Sequence, residues 1–345
     1  MEAAALVSVA MTEKGARLLR LCRERGVDGV WIRRRANVAW ATDGADVRCN
    51  AASELGVASL LWTPERKVVL CDDIEAPRMR AEELGTEWEV APTRWFEPAR
   101  APQGKYACDW PDDVLVDLRA PLTDVEMARA RELGADSAAV LRSVMFHVRV
   151  GWSEFECAGQ LARGLLRRGI QAPVILIAAD ERIDCFRHPI PTEKRCERVM
   201  MVVLCAERHG LVVAITRLVH FGTQTDTLRR KHEAVCRVDS ALHAATKSGV
   251  RWCDALTVAQ RAYADAGFAD EWKLHHQGGP MGYAPRDFVA TPTETRSVRE
   301  RQLVGWNPSI TGTKSEDTIF SGGEVITSMN DWPMLGGRPD ILVRR

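Results

Sequence analysis

The chain has 345 residues, of which 46% are apolar and 27% charged, and its 47 basic residues balance 47 acidic ones. This is the composition of a globular protein with two domains or one large one. Zero formal charge argues against nucleic acid or an anionic membrane as the main partner, because both need a basic surface. No apolar run approaches the roughly 18 residues of a membrane span, and Met1-Glu2-Ala3 lacks the pattern of a secretory leader, so the expected location is the cytoplasm. Ten cysteines without a CxxC pair read as reduced, mostly buried small hydrophobes. Only eight residues are histidine, which makes their positions worth following.

Apolar spacing predicts a helix over 12–25, short strands over 29–32 and 38–41, and two more over 58–62 and 67–71. The turn chemistry of Thr63-Pro64-Glu65-Arg66 joins the last two as a hairpin. A short helix over 76–84 stops at Gly85, a stretch rich in Pro, Ala and Gly follows near 98–105, and 114–117 reads as a strand. These elements make a small α/β domain over 1–120. The second domain, 121–345, opens with a long helical pattern over 123–150, broken at Gly151, and a second helix over 155–168. About a hundred residues later the arrangement recurs: a long amphipathic helix, a turn at Gly249, and a helix over 254–266. Strand-like segments follow each copy, 173–179 and 199–217 in the first, 302–311 and 324–328 in the second. Such a repeat predicts a pseudo-twofold α/β domain with two helix pairs covering a sheet.

Chemistry concentrates in this second domain. Leu274-His275-His276-Gln277-Gly278-Gly279-Pro280-Met281-Gly282-Tyr283 places adjacent histidines before glycines, where the backbone can approach a ligand closely. Downstream, Trp306-Asn307-Pro308-Ser309-Ile310-Thr311-Gly312-Thr313-Lys314-Ser315-Glu316-Asp317 reads as short strands around a glycine turn ending in carboxylates. Upstream lie Phe186-Arg187-His188-Pro189 and Gly210-Leu211-Val212-Val213-Ala214-Ile215-Thr216-Arg217.

In order and spacing these segments resemble the creatinase and aminopeptidase P family, the M24 peptidases, with their pita-bread fold. The resemblance covers nearly the whole chain and extends to Asn37-Val38-Ala39-Trp40-Ala41-Thr42-Asp43-Gly44 in the first domain. It implies a creatinase-like N-terminal domain, a pita-bread catalytic domain and a homodimer. Peptidases of this family hold two metal ions with two aspartates, a histidine and two glutamates. Carried over by position, the aspartates are Val203 and Ala214 here, the histidine is His276, and the glutamates are Asn307 and Glu316. No other acidic residue lies between Met200 and Leu218 except Glu207. One histidine and one carboxylate cannot enclose two divalent cations, so no metal and no other cofactor is expected. A further family histidine, seven residues after the metal-binding one, is Tyr283.

What remains resembles creatinase, the branch that acts without metal on a small guanidino compound. The resemblance gives His188 the acid/base role, which suits a group with an ordinary pKa near 6.5. His276 and Glu316 complete the catalytic set, with Glu316 binding a cationic group or orienting His276 or a water. Asn307, Tyr283 and Arg286 would line the substrate pocket, His275 would be a hydrogen-bonding partner there, and Asp46 and Arg48 would reach the active site of the partner subunit. His147, His209, His220, His232 and His243 read as structural or solvated. The expected function is metal-independent cleavage of a C–N or related polar bond in a small nitrogenous metabolite. The alternatives are a metal-dependent Xaa-Pro aminopeptidase, a lyase or isomerase of specialised metabolism, and a binding protein that kept the fold.

Overall fold

The computed structural model describes residues 12–97 and 101–345. They fall into two compact units that divide between Arg119 and Ala120. The first begins with α1 (Glu13–Arg25), whose Thr12 side chain accepts from the Gly15 amide and whose run ends at Gly26 in the left-handed region, φ 59°. β1 (Gly29–Arg34) follows, then α2 (Arg35–Ala41). The second of these overturns the strand expected over 38–41. Asn37, Val38, Ala39 and Trp40 are all buried, and a short apolar run reads the same as a buried strand or a buried helix turn. Contacts from elsewhere decide it: the Asp109 carboxylate accepts the amides of Arg33 and Arg34 and the Asn37 side chain. The hairpin of β2 (Leu55–Trp62) and β3 (Lys67–Asp72) forms as expected. α3 (Ala76–Arg78) runs on into a π turn, Met79–Glu83. β4 (Glu89–Thr93) and β5 (Tyr106–Cys108) add parallel edges that the sequence pattern did not reveal, giving the sheet order β4-β3-β2-β1-β5. The segment expected as a strand over 114–117 instead leads into α4 (Val116–Arg119). There Arg119 donates to Asn37 and Asp113, both at 2.5 Å. Of the Pro/Ala/Gly stretch, residues 98–100 lie outside the described residues.

In the second unit α5 (Asp124–His147) and α6 (Glu154–Leu166) each start with a complete capping box, Thr123 with Glu126 and Ser153 with Glu156. β6 (Gln171–Ala179), α7 (Glu181–Cys185), β7 (Val199–Arg208) and β8 (Leu211–Phe221) complete the first half. The second half repeats the plan with α8 (Asp226–Ala245), α9 (Trp252–Asp265), β9 (Gly278–Met281) and β10 (Leu303–Trp306). Short pieces follow: β11 (Ser309–Ile310), β12 (Thr313–Lys314), β13 (Asp317–Phe320), β14 (Met334–Leu335), β15 (Arg338–Pro339) and β16 (Leu342–Arg344). The sheets are β16-β8-β7-β6 and β13-β10-β9. The strand expected over 324–328 makes only a single bridge, Val325 to Ile319.

Packing of the second half rests on Trp252 and Trp306, both fully buried with ring centroids 5.6 Å apart. The Trp306 indole also donates to the Thr246 hydroxyl at 2.7 Å. Truncating either ring to alanine would cost roughly 3–5 kcal/mol. This anchor sets where the chain leaves β10, and the site begins at the next residue.

Candidate functional site

The β7–β8 hairpin supplies one wall. Its register pairs Val203 with Thr216 and Cys205 with Ala214, and residues directly opposite each other share a face. These four side chains therefore lie together. Val203 packs with Leu176, Ala178, Ile183, Met201, Leu218 and Ile341 in one apolar cluster. Ala214 uses only its backbone, donating to and accepting from the Thr318 hydroxyl at 2.7 and 2.9 Å. The Cys205 thiol is pushed up to about 11 by burial and stays protonated at neutral pH.

The second half supplies the polar wall. In the Thr313–Asp317 segment alternate residues point to opposite sides. Thr313 meets His232, Ser315 donates to Asp239 at 2.5 Å, and Asp317 takes Arg217 and Arg338 at 2.8 and 2.7 Å. Those buried contacts leave Lys314 and Glu316 to face the site. The Glu316 carboxylate is buried and fully engaged. The Lys314 ammonium lies 2.9 Å from its Oε2, the Arg286 guanidinium 3.1 Å from its Oε1, and the Thr216 hydroxyl donates at 2.5 Å. Burial opposes ionisation of Glu316, but Lys314 and Arg286 together outweigh it and hold the carboxyl below its ordinary value. This corrects one expectation. Glu316 does not present an open carboxylate to a cationic substrate, because two cations of the chain already hold it. Lys314, unnoticed in the sequence, carries a signal only in hindsight: two residues before Glu316 in a strand-like segment, it must share its face.

His188, His275 and His276 converge, each offering a ring nitrogen within 4.8 Å of the others. Nε2 of His275 is 3.1 Å from Nε2 of His188. The His188 loop is tied to the second half through Arg187, which donates to Glu271 and to the Thr311 hydroxyl, each at 2.8 Å. Burial, then Lys314, depresses His275 to about 2; burial, then Arg286 and Lys314, depresses His276 to about 4; and His188 also lies below its ordinary value, chiefly through burial. All three imidazoles are therefore neutral at pH 7.

Other expected residues take different places. Asn307 is buried beside Gln277, and its Oδ1 has no partner, like Nε of Arg286 and Nδ1 of His275 and His276. Tyr283 turns its hydroxyl to the Glu126 carboxylate on α5 at 2.6 Å and is buried there, so it contributes packing between helix and loop and no open pocket wall. Arg48 pairs with Asp46 at 2.5 Å inside the first unit. Gly278 serves β10 rather than a ligand: at its φ of 101° an added Cβ would stand 2.1 Å from the Gly305 carbonyl oxygen. The expected backbone approach is real, but its object is a neighbouring strand.

Solved structures of the same architecture include a prolidase from Pyrococcus horikoshii OT3, 18% identical, with a TM-score of 0.77 over 92% of this chain and 99% of that one. An Xaa-Pro dipeptidase from Bacillus anthracis is 17% identical, with a TM-score of 0.77 over 96% and 99%. The N-terminal domain of the FACT complex subunit SPT16 from Cicer arietinum (chickpea) is 11% identical, with a TM-score of 0.67 over 91% and 95%. The fold is thus the pita-bread fold. The chain belongs to metallopeptidase family M24, whose family model matches residues 128–327. Among curated proteins none matches.

A family of metallopeptidases implies metal, and the residues present do not fit two ions. Val203 and Ala214 offer no donor atoms, Asn307 brings an uncharged amide, and Glu316 is held by Lys314 and Arg286. The three imidazoles have the ligand type for a single transition ion. Lys314 acts on all three rings, and the orphaned Nδ1 atoms of His275 and His276 lack the carboxylate or carbonyl partner that orients a ligating histidine. No helix among the described residues is long and apolar enough to cross a membrane.

Proposed function

We propose that the chain is a hydrolase-type enzyme of its family that works without the two-metal centre, cleaving a C–N or related polar bond of a small nitrogenous metabolite. The observation that carries this reading is Glu316 paired to Lys314 and Arg286 opposite Val203 and Ala214. Two protein cations and two apolar residues occupy the electrostatic place of two metal ions and their aspartates. Proton transfer then falls to His188, the exposed member of the histidine trio. We assign its Nε2–H to His275, which burial keeps neutral and able to accept. Nδ1 of His188 is left as the base. It takes a proton from the attacking water and returns it to the departing nitrogen, so the imidazole ends as it began. A homodimer in which Asp46 and Arg48 approach the partner subunit's site belongs to the same proposal.

Ammonia or amine release from a panel of small amides, ureas and guanidino compounds tests it. His188→Ala should lower kcat by about 10²–10⁴; unchanged turnover refutes the mechanism. The competing reading, a metal-dependent Xaa-Pro peptidase, draws on the prolidase and dipeptidase named above, which share the fold over nearly the full chain. Elemental analysis of protein purified without chelators separates the two readings: two equivalents of manganese, zinc or iron per chain would establish the second.

A further inference from the structure

We propose that Glu154, on α6 and away from the reacting atoms, is the positioning residue for His188: its buried carboxylate holds the 187–192 loop so that the His188 imidazole stays within hydrogen-bonding reach of His275. The inference rests on the preceding reading, which gives His188 the proton transfer. Local rules account for only one of the two acids that open α6. Glu156 closes the capping box with Ser153, whereas Glu154 turns inward and is fully buried. A carboxylate in such a place is costly unless donors surround it, and the donors it has gathered point to its task.

One oxygen, Oε1, accepts the amide of Ala179 at the end of β6, at 2.8 Å. The other, Oε2, accepts the amide and the hydroxyl of Thr192, each at 2.8 Å, together with the Arg182 guanidinium of α7. Arg182 extends the hold, because its Nη2 donates to the Ile190 carbonyl at 3.1 Å. The Pro189 carbonyl accepts from the Ile177 amide of β6 at 3.0 Å. Ile190 and Thr192, which follow His188, are thus tied to one buried carboxylate, while Arg187, which precedes it, is tied to Glu271 and Thr311. His188 itself is exposed, between exposed Phe186 and Ile190. Nothing packed outside the loop fixes its ring, so its place is set from behind by these polar contacts. At 3.1 Å from His275 the ring has little tolerance, since a displacement of about 1 Å breaks the hydrogen bond.

Selective ¹⁵N labelling of the eight histidines reads the contact by NMR on the full chain, without a substrate. The wild type should show the Nε2 proton of His188 correlated with Nε2 of His275, a signal that His188→Ala removes. Glu154→Gln should lose it. The double variant Glu154→Gln/Arg182→Met leaves no unpaired charge behind, guards against a failure to fold, and should lose it too. Ser153→Ala removes the neighbouring cap and weakens α6, yet should keep the signal, which separates positioning from a general loss of stability. With a substrate from the panel above, Glu154→Gln should lower kcat by about 10–10²-fold and leave KM within about twofold. The proposal is overturned if the wild type lacks the correlation, if the folded Glu154 variants keep it, if Ser153→Ala loses it as well, or if kcat depends on His188 and not on Glu154. Failure of the preceding reading would look different: the correlation would respond as described while turnover stayed indifferent to His188→Ala.

Discussion

The two halves of the second unit share a plan and contribute opposite chemistry. Each consists of a long helix, a shorter helix and antiparallel strands, yet the β7–β8 hairpin presents Val203, Cys205 and Ala214 while the second half presents His275, His276, Lys314 and Glu316. A two-metal centre shared between halves needs carboxylates from both. Here the hairpin of the first half offers no carboxylate at Val203 or Ala214, and in the second half the Lys314 ammonium is bound to Glu316. The two features reinforce each other, because an apolar wall and an ammonium both disfavour a divalent cation. A likeness of fold therefore carries over the scaffold, while the charge of a few inward positions decides what the scaffold can hold.

The comparison can be broken most forcefully from the apolar side. Val203→Asp would place a carboxylate in the cluster of Leu176, Met201 and Leu218 and should cost roughly 3–5 kcal/mol at pH 7. Urea denaturation would show the loss, which should shrink toward pH 4 as the buried carboxyl takes up a proton. Full stability at pH 7 would mean that the hairpin tolerates a carboxylate at this place, and the contrast between halves would weaken. The polar half responds to pH in its wild-type form. His276 sits near 4 in the folded chain, well below its unfolded value. The unfolded state therefore binds more protons across that interval, and stability should fall as pH drops from about 6.5 to 4. His276→Gln should make this part of the curve shallower, with His275 and His188 contributing the remaining slope, and a curve unchanged by the variant would remove His276 as a cause. Glu316, held low, adds a loss only at still more acidic pH. The smallest effect tests a displaced residue: Tyr283→Phe should cost about 1 kcal/mol through its lost bond to Glu126 and leave ligand affinity unchanged. A raised KM would return Tyr283 to the pocket.

Much of the scaffold was legible along the chain. The capping boxes at Thr123 and Ser153, the helix spacing after them and the glycine stops at Gly169 and Gly267, φ 65° and 83°, are local signals, carried by residues a few positions apart. The segment 38–41 reads as a strand because Val38, Ala39 and Trp40, buried in succession, carry no period, and Asp109, some seventy positions away, settles their conformation. The edge strands β4 and β5 were missed for a related reason: short strands gain their identity from parallel partners distant in sequence.

The sequence by itself determined most of the helices, the repeat, the family likeness, and the apolar character of Val203 and Ala214. Each of these is a property of residue type and spacing, readable without coordinates. Only the tertiary structure decided that Glu316 is occupied, that Lys314 belongs to the site, that His275 reaches His188, and that Tyr283 faces a helix. Those facts depend on which side chains from separate elements share one buried volume. Inside it the balance of charge and of unpaired donors is a sum over neighbours that no local pattern records.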